Sequence, residues 1–173
     1  RANIAFISER SDSSPFYEKR MKGYQSAMQH YFHETNALAA EIDFFREKSP
    51  ESDKAIDADI CSFLDKHPDA TSIITTNLAI VQIYQHLIKK QVPPGKYTIL
   101  VFDSAEKMDF IPYQNLVIID QCPYKIGYLA AEQLHLQITQ HAPLQNIDVP
   151  ERFVAHKSNF TDISPITTMN IQE

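Results

Sequence analysis

Tyr97-Thr-Ile-Leu-Val-Phe-Asp103 is a run of β-branched and aromatic residues that stops on a carboxylate. A short apolar run with little polar alternation reads as a strand covered on both faces, the situation of a parallel sheet. Pro93-Pro94-Gly95 breaks the chain just before it.

The same form returns on either side. Asn3-Ile-Ala-Phe-Ile-Ser8 precedes a polar loop, Glu9 to Ser14. Ser72-Ile-Ile-Thr-Thr76 runs into Asn77, and Leu116-Val-Ile-Ile119 runs into Asp120 and Gln121. Ile42 to Phe45 gives a further apolar run, and Arg152 to Ala155 a last short strand. Between them lie segments with helical spacing. Pro15 is placed to open a helix to about Phe32, with Met21, Tyr24, Ala27 and Met28 recurring on one side. Ser49 to Asp53 reads as a loop and helix start, continued to about Lys66 through Ile56, Ile60, Phe63 and Leu64. Asn77 is a plausible N-cap for a helix carrying Ile80, Ile83, Tyr84, Leu87 and Ile88. Pro123 opens another, to about Thr139. Strands alternating with helices of this length predict an α/β fold, a parallel sheet flanked by helices on both faces, with right-handed crossovers.

Bulk properties narrow the function. The chain has 173 residues, enough for a real core, and a net charge of −6. That charge does not suit a nucleic-acid-binding face. Three glycines cannot build a glycine-rich phosphate loop, and neither the dinucleotide nor the Walker pattern is present. Cys61 and Cys122 are isolated and read as reduced packing thiols. His30 and His33 share a helix side without acidic companions at ligand spacing, so a solvated surface is expected rather than a metal site. No Gly-x-Ser-x-Gly elbow occurs, and no cofactor is expected. No apolar run is long enough to cross a membrane. A chain that opens at Arg1 and reaches a strand by Ile4 reads as a piece of a longer polypeptide.

In a parallel α/β sheet, ligands bind outside the carboxyl ends of the strands. Asn77, Asp103 and Gln121 stand at such ends, and Arg20 lies on the helix after the first strand. Arg20 offers a planar fork of donors, Asp103 accepts hydroxyl protons, and Asn77 and Gln121 do both. That set suits a sugar-like ligand. Phe16 or Tyr17 can lie against a sugar face, or pack in the core. Ser13 and Ser14 are weaker candidates for hydroxyl contacts. The plain alternative for Arg20 is a surface ion pair, for instance with Glu18. For Asn77 it is a helix cap, for Asp103 a turn residue, and for Gln121 an exposed hinge residue.

Six segments in order give a resemblance: Asn3-Ile-Ala-Phe-Ile, Arg20-Met-Lys-Gly-Tyr24, Thr76-Asn77-Leu-Ala79, Val92-Pro93 through Asp103, Ile118-Ile-Asp-Gln121 with Ile126-Gly-Tyr-Leu-Ala-Ala131, and Phe153-Val-Ala-His-Lys-Ser158. Together they resemble the effector-binding domain of the lactose-repressor (LacI/GalR) family, a branch of the type I periplasmic-binding-protein fold, mainly its C-terminal subdomain. The chain departs from the family pattern at Leu78, where an aspartate is usual, and at Val101 and Ser104 around Asp103. The resemblance implies effector contacts at Arg20, Asn77, Asp103 and Gln121. It implies a C-terminal subdomain over residues 1–119, the last helix and strand of the N-terminal subdomain over 120–155 after a hinge, and a tail over 156–173. On that division the helix from Pro123 lacks its partners, and Ile126, Leu129, Ala130, Leu134 and Ile138 are left to seek cover. The function implied is ligand sensing in a cytoplasmic, homodimeric bacterial transcription regulator. DNA would be bound through a helix-turn-helix module absent from this chain. The alternatives are a solute-binding protein of a sugar ABC transporter, and a small enzyme on a flavodoxin-like sheet; the enzyme is disfavoured because no nucleophile, metal set or cofactor loop is evident.

Overall fold

The hydrophobic runs do form strands, and their order in space is set by the crossovers between them. The computed structural model describes residues 3–10, 12, 14–33, 37–45, 47, 49–93, 95–103, 115–143 and 145–155. The elements are β1 (Ile4–Glu9), α1 (Pro15–Phe32), β2 (Leu38–Ile42), α2 (Pro50–Lys66), β3 (Ser72–Thr76), α3 (Ile80–Lys89), β4 (Thr98–Asp103), β5 (Leu116–Asp120), α4 (Pro123–Gln140) and β6 (Arg152–Ala155). They build one six-stranded sheet in the order β2-β1-β3-β4-β5-β6. The first five strands are parallel, and β6 runs antiparallel to β5. The irregular stretch expected around Met108, Phe110 and Ile111 and the tail over 156–173 lie outside the described residues.

Helices cover both faces. On one, Ile56, Ile60 and Leu64 of α2 and Ile80, Ile83 and Leu87 of α3 pack on Ala5, Ile7, Ile73, Ile99, Val101 and Ile118 of the sheet. On the other, Met21, Tyr24 and Met28 of α1 pack on Phe6. The alternation along β1 therefore serves two cores, which is why the strand carries no polar face. Tyr24 stacks on Phe6 with ring centres 5.1 Å apart. Its hydroxyl donates to the carbonyls of Ile4 (2.7 Å) and Leu38 (3.2 Å), tying α1 to the starts of β1 and β2. Burial pushes this phenol up to about 12, so it keeps its donor proton through the ordinary pH range.

Local chemistry sets the helix starts. Ser14 caps α1 by accepting from the Phe16 amide at 3.3 Å, with Pro15 at the first helical position. Ser49 and Ser52 form a reciprocal capping box at α2. Two expectations need correction. The second strand is Leu38–Ile42, not Ile42–Phe45, because Leu38 to Ile42 pair with Ala5 to Glu9 of β1. The Asp43 side chain then accepts from the Phe45 amide at 3.2 Å and turns the chain. Asn77 does not cap α3. The Ala79 amide bonds the Thr76 carbonyl at 3.2 Å, the turn delays the helix to Ile80, and its N-cap Ala79 makes no side-chain bond.

Helix α4 buries none of its side chains. Ile126, Leu134 and Ile138 are exposed, as are Tyr124 and Tyr128. The strand β6, grouped with α4 beyond the hinge in the sequence reading, is the edge of the same sheet as β1 to β5. Its Arg152 bonds the Asp120 carboxylate at 2.5 Å.

Removing the Tyr24 hydroxyl strips one donor from two carbonyls. Tyr24→Phe is expected to lower stability by about 1 kcal/mol in denaturant titration, whereas Tyr31→Phe, on the exposed side of α1, leaves the midpoint unchanged.

Candidate functional site at the strand ends

Below its upper edge the sheet is packed in hydrocarbon. Buried polar side chains gather at that edge. Among the described residues, Ser8, Glu9, Thr75, Thr76, Asp103 and Asp120 are buried, and each lies at the carboxyl end of β1, β3, β4 or β5. Buried polar groups are costly unless they are bonded, so their concentration at one edge marks where the fold departs from simple packing. The order β2-β1-β3 also makes β1/β3 the point where the winding reverses, and such a switch point opens a crevice outside the strand ends.

Glu9 and Thr76 sit on either side of that switch point. Glu9 is fully enclosed, at 0% exposure. The Thr76 hydroxyl donates to its Oε1 at 2.8 Å. Its Oε2 has no hydrogen-bond partner among the described residues. Burial raises the Glu9 carboxyl above its ordinary value; its own backbone, the Thr76 hydroxyl and the Arg20 guanidinium pull the other way without cancelling the shift.

Arg20 projects from the second turn of α1. Its guanidinium carbon stands 4.5 Å from the centre of the Phe102 ring on β4 and 5.9 Å from that of Tyr17. A guanidinium over an aromatic face is attracted by the ring quadrupole, by about 0.5–1 kcal/mol where water has access. The alternative of a surface pair with Glu18 does not hold, since Glu18 accepts from Lys22 one turn on, at 2.5 Å. Tyr17 lies within the fields of both charged groups: burial and then the Glu9 charge raise its phenol, and Arg20 lowers it.

The other expected residues fall as follows. Asp103 closes β4, buried, beside Phe102 and in register with Asp120 of β5. The Gln121 amide donates to the Asp103 carbonyl at 3.4 Å, and Gln121 is half-buried between β5 and α4. Next to it, Cys122 takes a left-handed backbone (φ 52°), and its amide donates to the Asp120 carboxylate at 3.0 Å. Asn77 is exposed in the turn after β3. Phe16 is 72% exposed, which removes the core-packing alternative for it. Ser14 is committed to the α1 cap, and Ser13 lies outside the described residues. The arrangement thus joins α1 to the end of β4 through Arg20, and β1 to β3 through Glu9 and Thr76.

Glu9 is the residue that sequence reasoning missed. It was read as the first residue of a polar loop, whereas it is the last residue of β1. The signal was present: it is a carboxylate one residue past the apolar run Ile4–Ile7, much as Asp103 follows Phe102.

Two other places contrast with this edge. A groove of about 500 Å³ runs between α4 and the Gln145–Val149 segment, lined by residues such as Ile126, Leu129, Leu134 and Ile147 and by glutamines, with no charged group. It offers little to orient a polar ligand. His86 of α3 is buried with Nδ1 3.1 Å from the sulfur of Cys61 on α2, on the face of the sheet opposite α1. Among the described residues, no three His, Cys, Asp or Glu side chains are arranged to hold a metal, and no helix is long and apolar enough to cross a membrane.

No protein-family model matches the sequence, and no curated protein matches it. Solved structures do. A PurR family transcriptional regulator from Vibrio parahaemolyticus superposes with a TM-score of 0.70 at 15% identity, over 92% of this chain and 56% of that one. The transcription regulator CcpA of Lactococcus lactis gives 0.66 at 22% identity, over 91% and 56%. A complex of the transcriptional regulator CelR with cellobiose gives 0.67 at 17% identity, over 91% and 46%. The chain therefore shares the mostly parallel α/β fold of these transcription regulators, and spans about half the length of the structures it matches. These matched proteins are regulators rather than enzymes.

Glu9 carries a stability test with a defined sign. A carboxyl raised by folding binds protons more tightly in the native state, so stability falls as pH rises from the ordinary carboxyl value through the raised one. Glu9→Gln is expected to stabilise the fold at pH 7 by about 1 kcal/mol, and the gain should vanish below about pH 4, where Glu9 is protonated in both states. Thermal unfolding of both proteins across this range checks it; a destabilised Glu9→Gln at pH 7 contradicts the assignment.

Proposed function

We propose that this chain is the ligand-sensing part of a bacterial LacI-type transcription regulator, and that its effector is a sugar or a closely related polyhydroxy compound. The observation that carries the reading is the collection of buried polar side chains at the carboxyl edge of a sheet whose fold is shared with such regulators. Arg20, Asn77, Asp103 and Gln121 are the proposed effector contacts, with Phe16 and Ser13 contributing from the loop and first turn before Arg20. A guanidinium and a carboxylate can each engage two neighbouring hydroxyls, and charge-assisted bonds of this kind contribute about 1.5–3 kcal/mol each.

In this reading residues 1–119 make one wall of a cleft, the segment around Gln121 and Cys122 is the hinge, and α4 belongs with the opposite wall. The bare apolar face of α4 supports that division, since Leu134 and Ile138 lie open to solvent. The effector bridges both walls and favours the closed arrangement, by no more than its difference in affinity for the two states. A homodimer in the cytoplasm then presents helix-turn-helix modules, carried outside this chain, at a changed spacing on DNA. The same cleft would serve a solute-binding protein of a sugar transporter; the fold neighbours, which are transcription regulators, favour regulation.

The test is effector binding by the intact protein. Asp103→Ala is expected to weaken sugar binding by about 10- to 100-fold in calorimetric titration, with the circular dichroism spectrum unchanged. Unaltered affinity in a folded Asp103→Ala protein would remove Asp103 from the site.

A further inference from the structure

The mouth of the sheet holds one acceptor that the reading above does not use. Glu9 is the last residue of β1, at the switch point, fully enclosed, with one oxygen held by Thr76 and the other unpartnered among the described residues. A buried carboxylate oxygen without a donor is expensive, and a native structure that keeps one calls for an explanation. The groups of α1 that act on it are Arg20 and Tyr17. Arg20 makes no hydrogen bond to the unpartnered Glu9 oxygen; its guanidinium lies over the faces of Phe102 and Tyr17. That contact is weak enough to exchange for a ligand ring lying on Phe102.

The local charge adds a second line of argument. Glu9, Asp103 and Asp120 place three carboxylates at the ends of β1, β4 and β5. Asp120 is matched by Arg152 at 2.5 Å. Glu9 itself has no bonded cation among the described residues: Thr76 holds one of its oxygens, and Arg20 acts on it only through its field. An acidic ligand would meet the Glu9 charge in a poorly hydrated place, which weakens its binding.

We propose that Glu9 is a specificity-determining residue of this site: its free oxygen accepts a hydrogen bond from a ligand hydroxyl, and its charge excludes acidic sugars. This rests on the reading of the strand ends as a sugar site, and narrows it to neutral polyhydroxy ligands. When the ligand ring settles on Phe102, the Arg20 guanidinium moves aside to bond hydroxyls. The Glu9 oxygen, enclosed without a ligand, then accepts a hydrogen bond from a ligand hydroxyl. Thr76 holds the carboxylate in place from the β3 side. An amide at this position would present a donor to one side and no charge, so discrimination against acids would be lost.

The experiment is calorimetric titration of the intact protein with matched pairs: glucose and glucuronate, galactose and galacturonate, ribose and ribose 5-phosphate, with cellobiose as a further neutral probe. The wild type is expected to bind a neutral member, and its acidic counterpart about 30-fold or more weakly. Glu9→Gln should bring that ratio to within about threefold, by losing affinity for the neutral sugar and gaining it for the acid. A purely structural role for Glu9 would change both affinities together and leave the ratio alone, and that result overturns the proposal while the sugar reading stands. A wild type that binds the acid at least as tightly as the neutral sugar overturns it without any variant. Failure of every probe to bind overturns the sugar reading, and this inference with it.

Discussion

The placement of β1 between β2 and β3 is the constraint on which the rest depends. With parallel neighbours on both sides, β1 has its backbone groups paired along its length, and both of its faces are covered by helices. The winding must then reverse at the β1/β3 boundary. Helix α1 leaves on one face while α2 and α3 lie on the other, and the strand ends between them are enclosed rather than solvated. The polar side chains of Ser8, Glu9, Thr75 and Thr76 occupy those ends. Were β1 an edge strand, the same residues would be solvated, and their chemistry would be ordinary.

The energetic pattern follows from this geometry. The lower sheet is stabilised by aliphatic packing, with Ile60, Ile73, Ile80, Ile83 and Ile99 fully enclosed. The upper edge gives some of that stability back by enclosing a carboxylate. Arg20 reaches from α1 to β4 and holds a positive charge near Glu9 without satisfying it. Asp120 and Arg152 fasten β6 to β5, and Cys122 just beyond takes a left-handed backbone. The edge is therefore tied by an ion pair at the β5/β6 end and least satisfied at the switch point, where Glu9 keeps an unpartnered oxygen among the described residues.

Most of the fold was legible because the strands are buried on both faces. Continuous apolar runs at β1, β3, β4 and β5 have few other readings, and Pro15, Pro50 and Pro123 mark three helix starts. The second strand was harder. Leu38-Ala-Ala-Glu-Ile42 is short on β-branched residues, and it is a strand because β1 offers it a pairing register, whereas the more conspicuous Phe44 and Phe45 lie in the turn after it. Asn77 has the right chemistry for a cap and lies two residues ahead of the N-cap position itself, a backbone fact that composition does not carry. Among the proposed contacts, Arg20, Asp103 and Gln121 could be named from their places after strands. The partnership of Glu9 with Thr76 could not, because it joins residues 67 apart in sequence and depends on the strand order.

The central claim, that a polyhydroxy effector is gripped at the carboxyl edge around the β1/β3 switch point, is tested most directly by hydrogen exchange on the intact protein with and without its bound sugar. The account predicts slowed exchange at the ends of β1, β3 and β4 and in the first two turns of α1, around Glu9, Thr76, Asp103 and Arg20. Slowing confined to the groove between α4 and the Gln145–Val149 segment, with the strand ends unchanged, would contradict it.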